Sequence, residues 1–326
     1  MRTLSVNQES WPLRQQFTIS RGSKYAADVI YVEVQQRGAI GRGECVPYAR
    51  YGDTLDSVLQ QIDAVRAELC EGLSRDALQQ RLPPGAARNA LDCALWDLQA
   101  KLTGQPVWKL AGLSKPQPVE TAYTLSLDSV SNMAAMALEH ADKPLLKLKL
   151  DSHNPSECVR AVRSSAPDAR IIVDANEAWS LDQLRHILPE LAKLNVELIE
   201  QPLTASEDSL LEAIEHAVAL CADESFHHSG DIGTVRNRYN VVNIKLDKTG
   251  GLTEAIQCRR AALAAGLDVM IGCMVGTSLA MAPAMLIAHG ARVVDLDGPL
   301  LLNQDRKPSL VYRNGKLEPP SPMLWG

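Results

Sequence analysis

The sequence predicts a two-domain α/β protein in which a smaller α+β domain precedes an eight-stranded parallel (β/α) barrel. Two observations lead to this fold class. The 326 residues are about twice a usual domain length, and strand-like runs alternate with helical segments at a nearly constant interval after Leu113. With 46% hydrophobic and 22% charged residues, the composition is globular and excludes a disordered, collagen-like or coiled-coil chain.

Charge and cysteine content limit the partners and the compartment. The net charge of −6, from 33 basic against 39 acidic residues, argues against nucleic acid and against a membrane surface, so we expect a small-molecule partner. The seven cysteines are scattered without a C-x-x-C pair, which predicts reduced thiols rather than disulfides or a zinc site. The N-terminal residues lack the basic-then-apolar order of a signal peptide, and the expected location is the cytoplasm.

The first 113 residues are expected to form the α+β domain. Residues 27–47 contain two β-rich runs joined by a polar turn around Gln35 to Gly38, which is typical of a hairpin. Helical periodicity follows over Thr54 to Leu69 and, more strongly, over Ala86 to Leu102. Prolines before the second helix and a glycine after it are the expected start and stop signals.

After Leu113 the chain predicts eight strands in a barrel. The strand-like runs end 22 to 28 residues apart, near Tyr123, Lys149, Asp174, Glu200, Asp223, Lys245, Cys273 and Asp297. A regular interval of this length is what a (β/α)₈ barrel requires. A doubly wound sheet would also alternate strands and helices, but the Gly-rich phosphate-binding turn expected after its first strand is missing.

One apolar stretch, Val269 to Ala288, has the length of a membrane span because its 20 residues carry no charge. Gly272, Gly276 and Pro283 interrupt it. We therefore predict a buried strand, a glycine turn and a buried helix.

Three acidic residues at consecutive strand ends predict a metal site. In such barrels the carboxyl ends of the strands carry the active site, and Asp174, Glu200 and Asp223 lie at these ends. Each of them alone would also suit a helix N-cap or a loop hydrogen bond. Together, three converging carboxylates repel one another unless a hard cation neutralises them. Oxygen ligands without His or Cys favour Mg²⁺ over zinc.

Three strand-end lysines indicate the type of reaction. Lys147 and Lys149 lie on the same side of one strand because side chains alternate, and Lys245 lies across the predicted ring. Each could simply pair with an acid. Near a dication, however, positive charge and burial are expected to lower the pKa of a lysine and to supply a neutral amine as base. Two opposed bases suit racemisation or epimerisation.

These residues stand in ordered motifs that resemble the muconate-lactonizing subgroup of the enolase superfamily. The motifs are KLK (Lys147 and Lys149), DAN (Asp174), EQP (Glu200), ADES (Asp223) and IKLDKTGG (Lys245). The added DLDGP, from Asp295 to Pro299, is similar to the dipeptide epimerases of that subgroup. The resemblance covers essentially the whole chain, including GAARNALDCALWDL in the first domain.

The resemblance implies an α+β capping domain of residues 1–113, completed by residues 308–326, over a modified TIM barrel, (β/α)₇β, of residues 114–307. The implied site has Asp174, Glu200 and Asp223 as Mg²⁺ ligands, Lys149 and Lys245 as acid/base catalysts, Lys147 as their electrostatic companion, and Asn176 and Glu224 in support. A cation holding the substrate carboxylate would stabilise the charge that develops when the α-proton leaves.

The resemblance also implies how the substrate is chosen. Asp295 and Asp297 share one side of a strand and suit a cation, which in dipeptide epimerases is the α-ammonium of the first residue. Without the resemblance, the two residues would also suit a turn before Gly298 and Pro299.

The loop TISRGSKYA departs from the dipeptide epimerases that act on Ala-Glu. They carry an arginine for the glutamate side chain of the substrate, and the matching residue here is Lys24. Lysine keeps the charge but loses the bidentate fork, so acidic selectivity is expected to weaken or shift. Arg21, Arg50 and Met274 are further candidates for this pocket, although each also suits an ordinary surface or packing role.

The sequence thus predicts an isomerase, a Mg²⁺-dependent dipeptide epimerase that inverts the second residue of L-Ala-L-Glu, a dipeptide of murein turnover. Other members of the subgroup stay open: a cycloisomerase, an o-succinylbenzoate synthase, an N-acylamino acid racemase or an epimerase of other side-chain specificity. A Schiff-base aldolase would leave the acids unexplained, and a non-catalytic binding barrel would exchange no α-proton. Side-chain specificity, direction and oligomeric state, including a homo-oligomer, stay open.

Overall fold

The computed structural model describes residues 2–215 and 217–326. Its N-terminal part begins with three antiparallel strands, β1 (Thr3–Ile19), β2 (Gly22–Gln36) and β3 (Ala39–Cys45). The hairpin predicted around Gln35 to Gly38 is confirmed, since β2 pairs with β3 on either side of Arg37 and Gly38. Both turn residues have positive φ, which is usual for two-residue hairpin turns.

Five helices follow these strands: α1 (Leu55–Ala64), α2 (Arg66–Glu71), α3 (Arg75–Arg81), α4 (Ala86–Thr103) and α5 (Val107–Leu110). The helix predicted over Ala86 to Leu102 is confirmed as α4. The helical pattern over Thr54 to Leu69 is confirmed, although Val65 leaves helical geometry and divides the segment into α1 and α2. Helix α4 packs so closely on β3 that a Cβ at Gly41 or Gly43 would collide with its backbone.

The second part is built on eight parallel strands, and the predicted fold class is confirmed. They are β5 (Tyr123–Leu125), β6 (Leu145–Lys149), β7 (Arg170–Asp174), β8 (Val196–Glu200), β9 (Ala219–Ala222), β10 (Val241–Ile244), β11 (Asp268–Ile271) and β12 (Val293–Val294), after the short β4 (Val119–Glu120). The edge strands approach each other, because Ala122 N, just before β5, donates to Val294 O at 2.8 Å.

Helices connect most of these strands: α6 (Val130–Glu139), α7 (Pro155–Ser165), α8 (Leu181–Lys193), α9 (Ile232–Val235), α10 (Leu246–Thr249), α11 (Leu252–Ala264) and α12 (Ser278–Ala284). Shorter 3₁₀ turns occur at Ala49–Tyr51, Asp208–Ala213, Ser229–Asp231, Met285–Ile287 and Gly298–Leu301. The main core lies between the strands and these helices. A second core lies between the N-terminal sheet and α1, α3 and α4.

The run VETAYTL differs from the prediction of one barrel strand, because it is divided between two sheets. Its first half, β4, pairs antiparallel with β14 (Lys316–Leu317), which forms a hairpin with β13 (Tyr312–Arg313). Beyond this hairpin the chain returns to α4, where Trp325 Nε1 donates to Cys93 O at 3.0 Å. This contact is the kind that a cap completed by residues 308–326 requires, while the domain boundaries themselves stay a prediction.

Residues 269–288 fold as predicted into the end of β11, a turn and the buried helix α12. Over residues 2–215 and 217–326, no helix combines the length and the apolar character that crossing a membrane needs.

Candidate active site

An apolar layer inside the barrel explains why polar side chains converge at its mouth. Leu145, Ile172, Leu198 and Cys221 are buried together in the interior. Side chains alternate along a strand, so the residues two positions further on face the same interior. Those residues are Lys147, Asp174, Glu200 and Asp223, and all four are at most 2% exposed.

The lysines and acids of this layer form close ion pairs. Lys149 Nζ lies 2.5 Å from Asp174 Oδ2, and Lys245 Nζ lies 2.6 Å from Asp223 Oδ2. Lys147 stands between them, with Nζ 2.6 Å from Glu200 Oε2 and 3.2 Å from Asp174 Oδ2. Lys149 ends β6 and Lys245 directly follows β10, and these two strands are four positions apart in the eight-stranded sheet. The two lysines therefore approach the acids from different sides.

These contacts set the protonation of the site. Burial raises the pKa of Glu200 to about 7, with a further contribution from Asp174. Burial also favours a neutral Lys245, but the carboxylates of Asp223 and Glu200 outweigh it and raise its pKa. The same balance holds Lys147 in its charged form. The lowered lysine pKa expected beside a dication stays a prediction, because here the carboxylates that would bind the metal face the ammonium groups of Lys147 and Lys245 at contact distance.

The residues at the mouth have a composition that suits a hard cation. Across the described residues, no three acidic, His or Cys side chains form a ready-made metal cluster, since the lysines lie between the carboxylates. In the same part of the chain, buried oxygens of Asn176, Glu224 and Asp295 accept no hydrogen bond. Such oxygens are costly without a partner, and oxygen ligands are those that Mg²⁺ takes. The donor set therefore fits Mg²⁺.

Asp295 and Asp297 follow the last barrel strand and are nearly fully buried. Asp295 Oδ2 lies 2.7 Å from Lys147 Nζ, while its Oδ1 is one of the oxygens without a hydrogen bond. Asp297 Oδ2 accepts from Thr124 N at 2.6 Å. Burial and the nearby Asp295 raise the pKa of Asp297 to about 7. A cation placed here would relieve both effects.

The tip of the β1–β2 hairpin lies over the barrel mouth. Arg21, predicted to line the substrate pocket, is bound by neighbours: its guanidinium lies 2.7 Å from Glu224 Oε1 and donates to Asn176 O at 2.8 Å. Burial alone would lower the pKa of Arg21, but Glu224 and Tyr48 raise it. Asn176 and Glu224 are thus joined to the hairpin through Arg21.

Lys24 and Met274 lie on the wall of a cavity of about 530 Å³ above the strand ends. Lys24 Nζ lies 5.1 Å from the ring centroid of Tyr48, and burial lowers its pKa against the opposing effect of Asp28. Arg50 also reaches this cavity, but its guanidinium is paired with Glu177 at 2.6 Å. Of the three cations on this side, Lys24 is the one without a carboxylate at contact distance among the described residues.

Three buried residues of the site have no counterpart in the sequence-based prediction. Lys248 Nζ contacts Asp223 Oδ1 at 2.6 Å, so Asp223 is shared by two lysines. Gln201 Oε1 accepts from Asp223 N at 2.9 Å. Asn243 Nδ2 donates to Glu200 Oε1 at 2.7 Å. Gln201 and Lys248 lie within the quoted motifs EQP and IKLDKTGG, but their contacts depend on neighbouring strands and leave no local pattern.

Comparison with known families agrees with this geometry. Residues 1–112 match the mandelate racemase/muconate lactonizing enzyme N-terminal domain. Residues 129–322 match the enolase C-terminal domain-like family.

Two curated relatives are similar over nearly their whole length. The L-Ala-D/L-Glu epimerase of Escherichia coli strain K12 is 46% identical, over 97% of this chain and 99% of that protein. The N-acetyl-D-glutamate racemase of a Pseudoalteromonas species is 45% identical, over 91% of this chain and 95% of that protein. Because these relatives are an epimerase and a racemase, the prediction of an isomerase is confirmed.

Solved structures are similar to the same extent. An Agrobacterium tumefaciens enolase family member with homology to dipeptide epimerases, with bound sodium and L-Ala-L-Glu, has a TM-score of 0.98 at 48% identity and covers 100% of both chains. A Methylococcus capsulatus dipeptide epimerase complexed with Mg and L-Arg-D-Lys has a TM-score of 0.90 at 30% identity, over 97% of this chain and 96% of that one. With both parts of the chain matched, this protein belongs to the mandelate racemase/muconate lactonizing enzyme family of the enolase superfamily.

Proposed function

We propose that this protein is a Mg²⁺-dependent dipeptide epimerase that interconverts L-Ala-L-Glu and L-Ala-D-Glu. The observation that carries the proposal is the arrangement of Lys149 and Lys245 on two sides of one group of acids, each within 2.6 Å of a carboxylate. Two lysines on opposite sides of a substrate carbon are what inversion by proton transfer needs. The relatives with dipeptides named in their structures support the substrate class.

Asp174, Glu200 and Asp223 would hold the metal. When bound, Mg²⁺ supplies positive charge that makes a proton next to a carboxylate easier to remove. The three acids would exchange their lysine contacts for the metal, which frees Lys149 and Lys245 to face the substrate. Without the facing carboxylates, Lys245 would lose the interaction that raises its pKa and would be a better base.

One lysine would take the α-proton of the second residue and the other would deliver a proton to the opposite face. Lys147 lies between them and stays charged, because Asp295 also holds it at 2.7 Å. Its ammonium would stabilise the negative charge that develops on the substrate carboxylate. The direction of net conversion follows the supply of substrate.

Asp295 and Asp297 would bind the α-ammonium of the first residue, and Lys24 would bind the acidic side chain of the second. The oxygen of Asp295 without a hydrogen bond and the raised pKa of Asp297 support a cation at this end. Met274 would pack against the peptide, and Arg21 would hold the hairpin tip in place through Glu224. Murein peptides are the proposed source of the dipeptide. The cytoplasmic location and a homo-oligomeric assembly stay predictions.

A second candidate is an N-acylamino acid racemase, since one relative at 45% identity is an N-acetyl-D-glutamate racemase. An N-acyl substrate lacks the α-ammonium, so Asp297 and the Oδ1 oxygen of Asp295 would then have no cation to bind. Burial of Asp295 and Asp297 at the end of the cavity therefore favours the dipeptide.

The test compares L-Ala-L-Glu with N-propionyl-L-Glu, which is the same molecule without the amino group. Proton NMR with Mg²⁺ follows inversion at the glutamate α-carbon, and a panel of L-Ala-L-Xaa peptides runs beside it. The proposal predicts a preference for L-Ala-L-Glu over the propionyl analogue of roughly tenfold or more, the value of hydrogen bonds to a charged group. Equal rates would favour the N-acyl substrate, and no inversion of either compound or of the panel would contradict the proposal.

A further inference from the structure

Helix α4 presents a row of buried polar side chains to the barrel. Arg88, Asn89, Asp92 and Trp96 lie on one face of the helix, and each is at most 6% exposed. Each of these four side chains forms a hydrogen bond with a residue of the segment from Asp247 to Thr253. This segment begins two residues after Lys245, one of the two proposed acid/base lysines.

Asp247 is the central contact of this junction. Its Oδ1 accepts two hydrogen bonds, from Asn89 Nδ2 at 2.8 Å and from Val46 N at 2.9 Å. Both donors belong to the N-terminal part of the chain. Val46 also precedes Tyr48 and Arg50, which line the cavity. One buried carboxylate thus joins the segment of Lys245 to helix α4 and to a loop above the site.

The backbone of Lys245 is tied to the same turn. Its carbonyl accepts from Lys248 N and from Thr249 N, both at 3.0 Å, which closes the single turn α10 around Asp247. Arg88 holds the far end of this turn, since its Nη2 donates to Thr249 O at 2.7 Å and its Nε to Gly250 O at 3.2 Å. A shift of Asp247 would therefore move the backbone that carries Lys245.

Glycine is required where the helix lies against this turn. Gly250 has a φ of 78°, and a Cβ there would lie 2.3 Å from Arg88 Nε. Gly251 has a φ of 108°, and its Cβ would lie 2.6 Å from the Asp92 side chain. Close approach and positive φ both exclude larger residues. The turn is fitted to α4 and does not merely touch it.

Lys149 is held in a different way. It ends β6 in register with Asp174 of β7, and the next residue, Leu150, donates from its N to Asp174 O at 3.0 Å. These contacts lie within the barrel sheet. The contacts that Asn89 and Val46 make with Asp247 therefore act on one of the two lysines.

We propose that Asn89 and Asp247 are positioning residues for Lys245. Through these two residues helix α4 positions the side chain of Lys245, whereas Lys149 is positioned by the barrel sheet alone. This inference rests on the proposed two-lysine function. A purely structural junction would instead affect both lysines alike, because it would only hold the two parts of the protein together.

The experiment measures α-proton exchange from D₂O separately for L-Ala-L-Glu and L-Ala-D-Glu, in the full-length protein with Mg²⁺. The variants Lys149→Ala and Lys245→Ala first define which stereoisomer depends on which lysine. In Asn89→Ala we expect exchange of the Lys245-dependent stereoisomer to fall roughly tenfold or more, since small misplacements of a catalytic group are costly. Exchange of the other stereoisomer should stay within about twofold of wild type.

Two further variants serve as controls. Asp247→Asn keeps an oxygen that can accept from both donors, so it should preserve both exchange rates. Trp96→Phe removes a bond to Thr253 Oγ1, at 2.9 Å, which belongs to the same junction but lies beyond the turn. It should show no difference between the stereoisomers. Melting curves confirm folding, and Asn89→Ser replaces any Asn89→Ala protein that does not fold.

Equal losses for both stereoisomers in the Asn89 variant, or no loss in either, would overturn the positioning role. If wild type exchanges both stereoisomers, such a result leaves the proposed epimerase intact. Absence of exchange in wild type, over the whole dipeptide panel, would overturn the epimerase and the positioning role together.

Discussion

The two proposed acid/base lysines differ in what surrounds them. Lys149 ends a barrel strand and pairs with Asp174 of the neighbouring strand. Lys245 pairs with Asp223 and begins a turn that Asn89 binds through Asp247. The barrel thus supplies one lysine from its own sheet, whereas the second depends on a helix of the N-terminal part. The comparison indicates that the N-terminal part contributes to the placement of Lys245.

Removing either lysine should have the largest effect. Lys149→Ala and Lys245→Ala should each lower epimerisation about 10³-fold, because a positioned acid/base group contributes about 10²- to 10⁴-fold. Each variant should still exchange the α-proton of one stereoisomer, and the two stereoisomers should be different. NMR in D₂O measures both rates, with the exposed Lys193→Ala as control. Normal epimerisation in either lysine variant would contradict the two-base mechanism.

Metal removal should lower the proton-transfer rates that depend on Lys149 and on Lys245 equally. Chelation should lower epimerisation at least about 10²-fold, and added Mg²⁺ should restore it, since the metal supplies several kcal/mol of charge stabilisation. Glu200→Gln should lower both activity and Mg²⁺ affinity measured by calorimetry, because it removes the charge of a fully buried carboxylate that is proposed to bind the metal. Full activity in the presence of a chelator would contradict the metal site.

Asp297→Asn should weaken binding of the substrate's α-ammonium group. We expect kcat/KM for L-Ala-L-Glu to fall about 10- to 100-fold, the value of a hydrogen bond to a charged group. The rate with N-propionyl-L-Glu should stay nearly unchanged, because this analogue has no ammonium to lose. Parallel losses with both substrates would show that Asp297 acts on the fold of the site.

Lys24→Met should change the choice of side chain. Loss of its charge should lower the preference for L-Ala-L-Glu over L-Ala-L-Gln by about tenfold, with the proton-transfer residues unaffected. Lys24→Arg, which restores a planar fork, should raise the preference. Competition between the two dipeptides in one NMR sample measures the ratio, and an unchanged ratio in both variants would remove Lys24 from the pocket.

The smallest effect concerns stability at the junction. Burial raises the pKa of Asp247 to about 7, above its unfolded value near 3.8. The folded protein therefore favours the protonated carboxyl. The contribution of this carboxyl to the free energy of unfolding is fully present at low pH and is lost as pH rises through about 7. Asp247→Asn should raise the Tm at about pH 8.5 by a few degrees, and by less at about pH 5. A Tm gain that is the same at both pH values would contradict this assignment.

The barrel and its polar mouth could be predicted because both follow from local pattern. Strand ends recur at regular intervals, and alternation places Lys147, Asp174 and Glu200 on one interior face. The division of VETAYTL could not be predicted, because β4 pairs with β14, almost two hundred residues later in the sequence, at Lys316–Leu317.

Contacts between the two parts of the chain could not be predicted from the sequence either. Arg21 lines the cavity as expected, but its ion pair with Glu224, a residue of the barrel, could not be predicted from sequence. From sequence, Asn89 looks like an ordinary polar residue of an amphipathic helix. Only the packed structure shows its hydrogen bond to Asp247. Side-chain partners across a domain junction leave no periodic signal.

The most direct test of the account follows the isotope in the first product. Unlabelled L-Ala-L-Glu is incubated with the wild-type protein and Mg²⁺ in D₂O, and the α-position of the earliest L-Ala-D-Glu is examined by NMR and mass spectrometry. Because the second lysine delivers a solvent-derived proton, we expect deuterium in that product from the first time point, while unreacted substrate still carries protium. Product that keeps the substrate's own α-proton would contradict two opposed lysines.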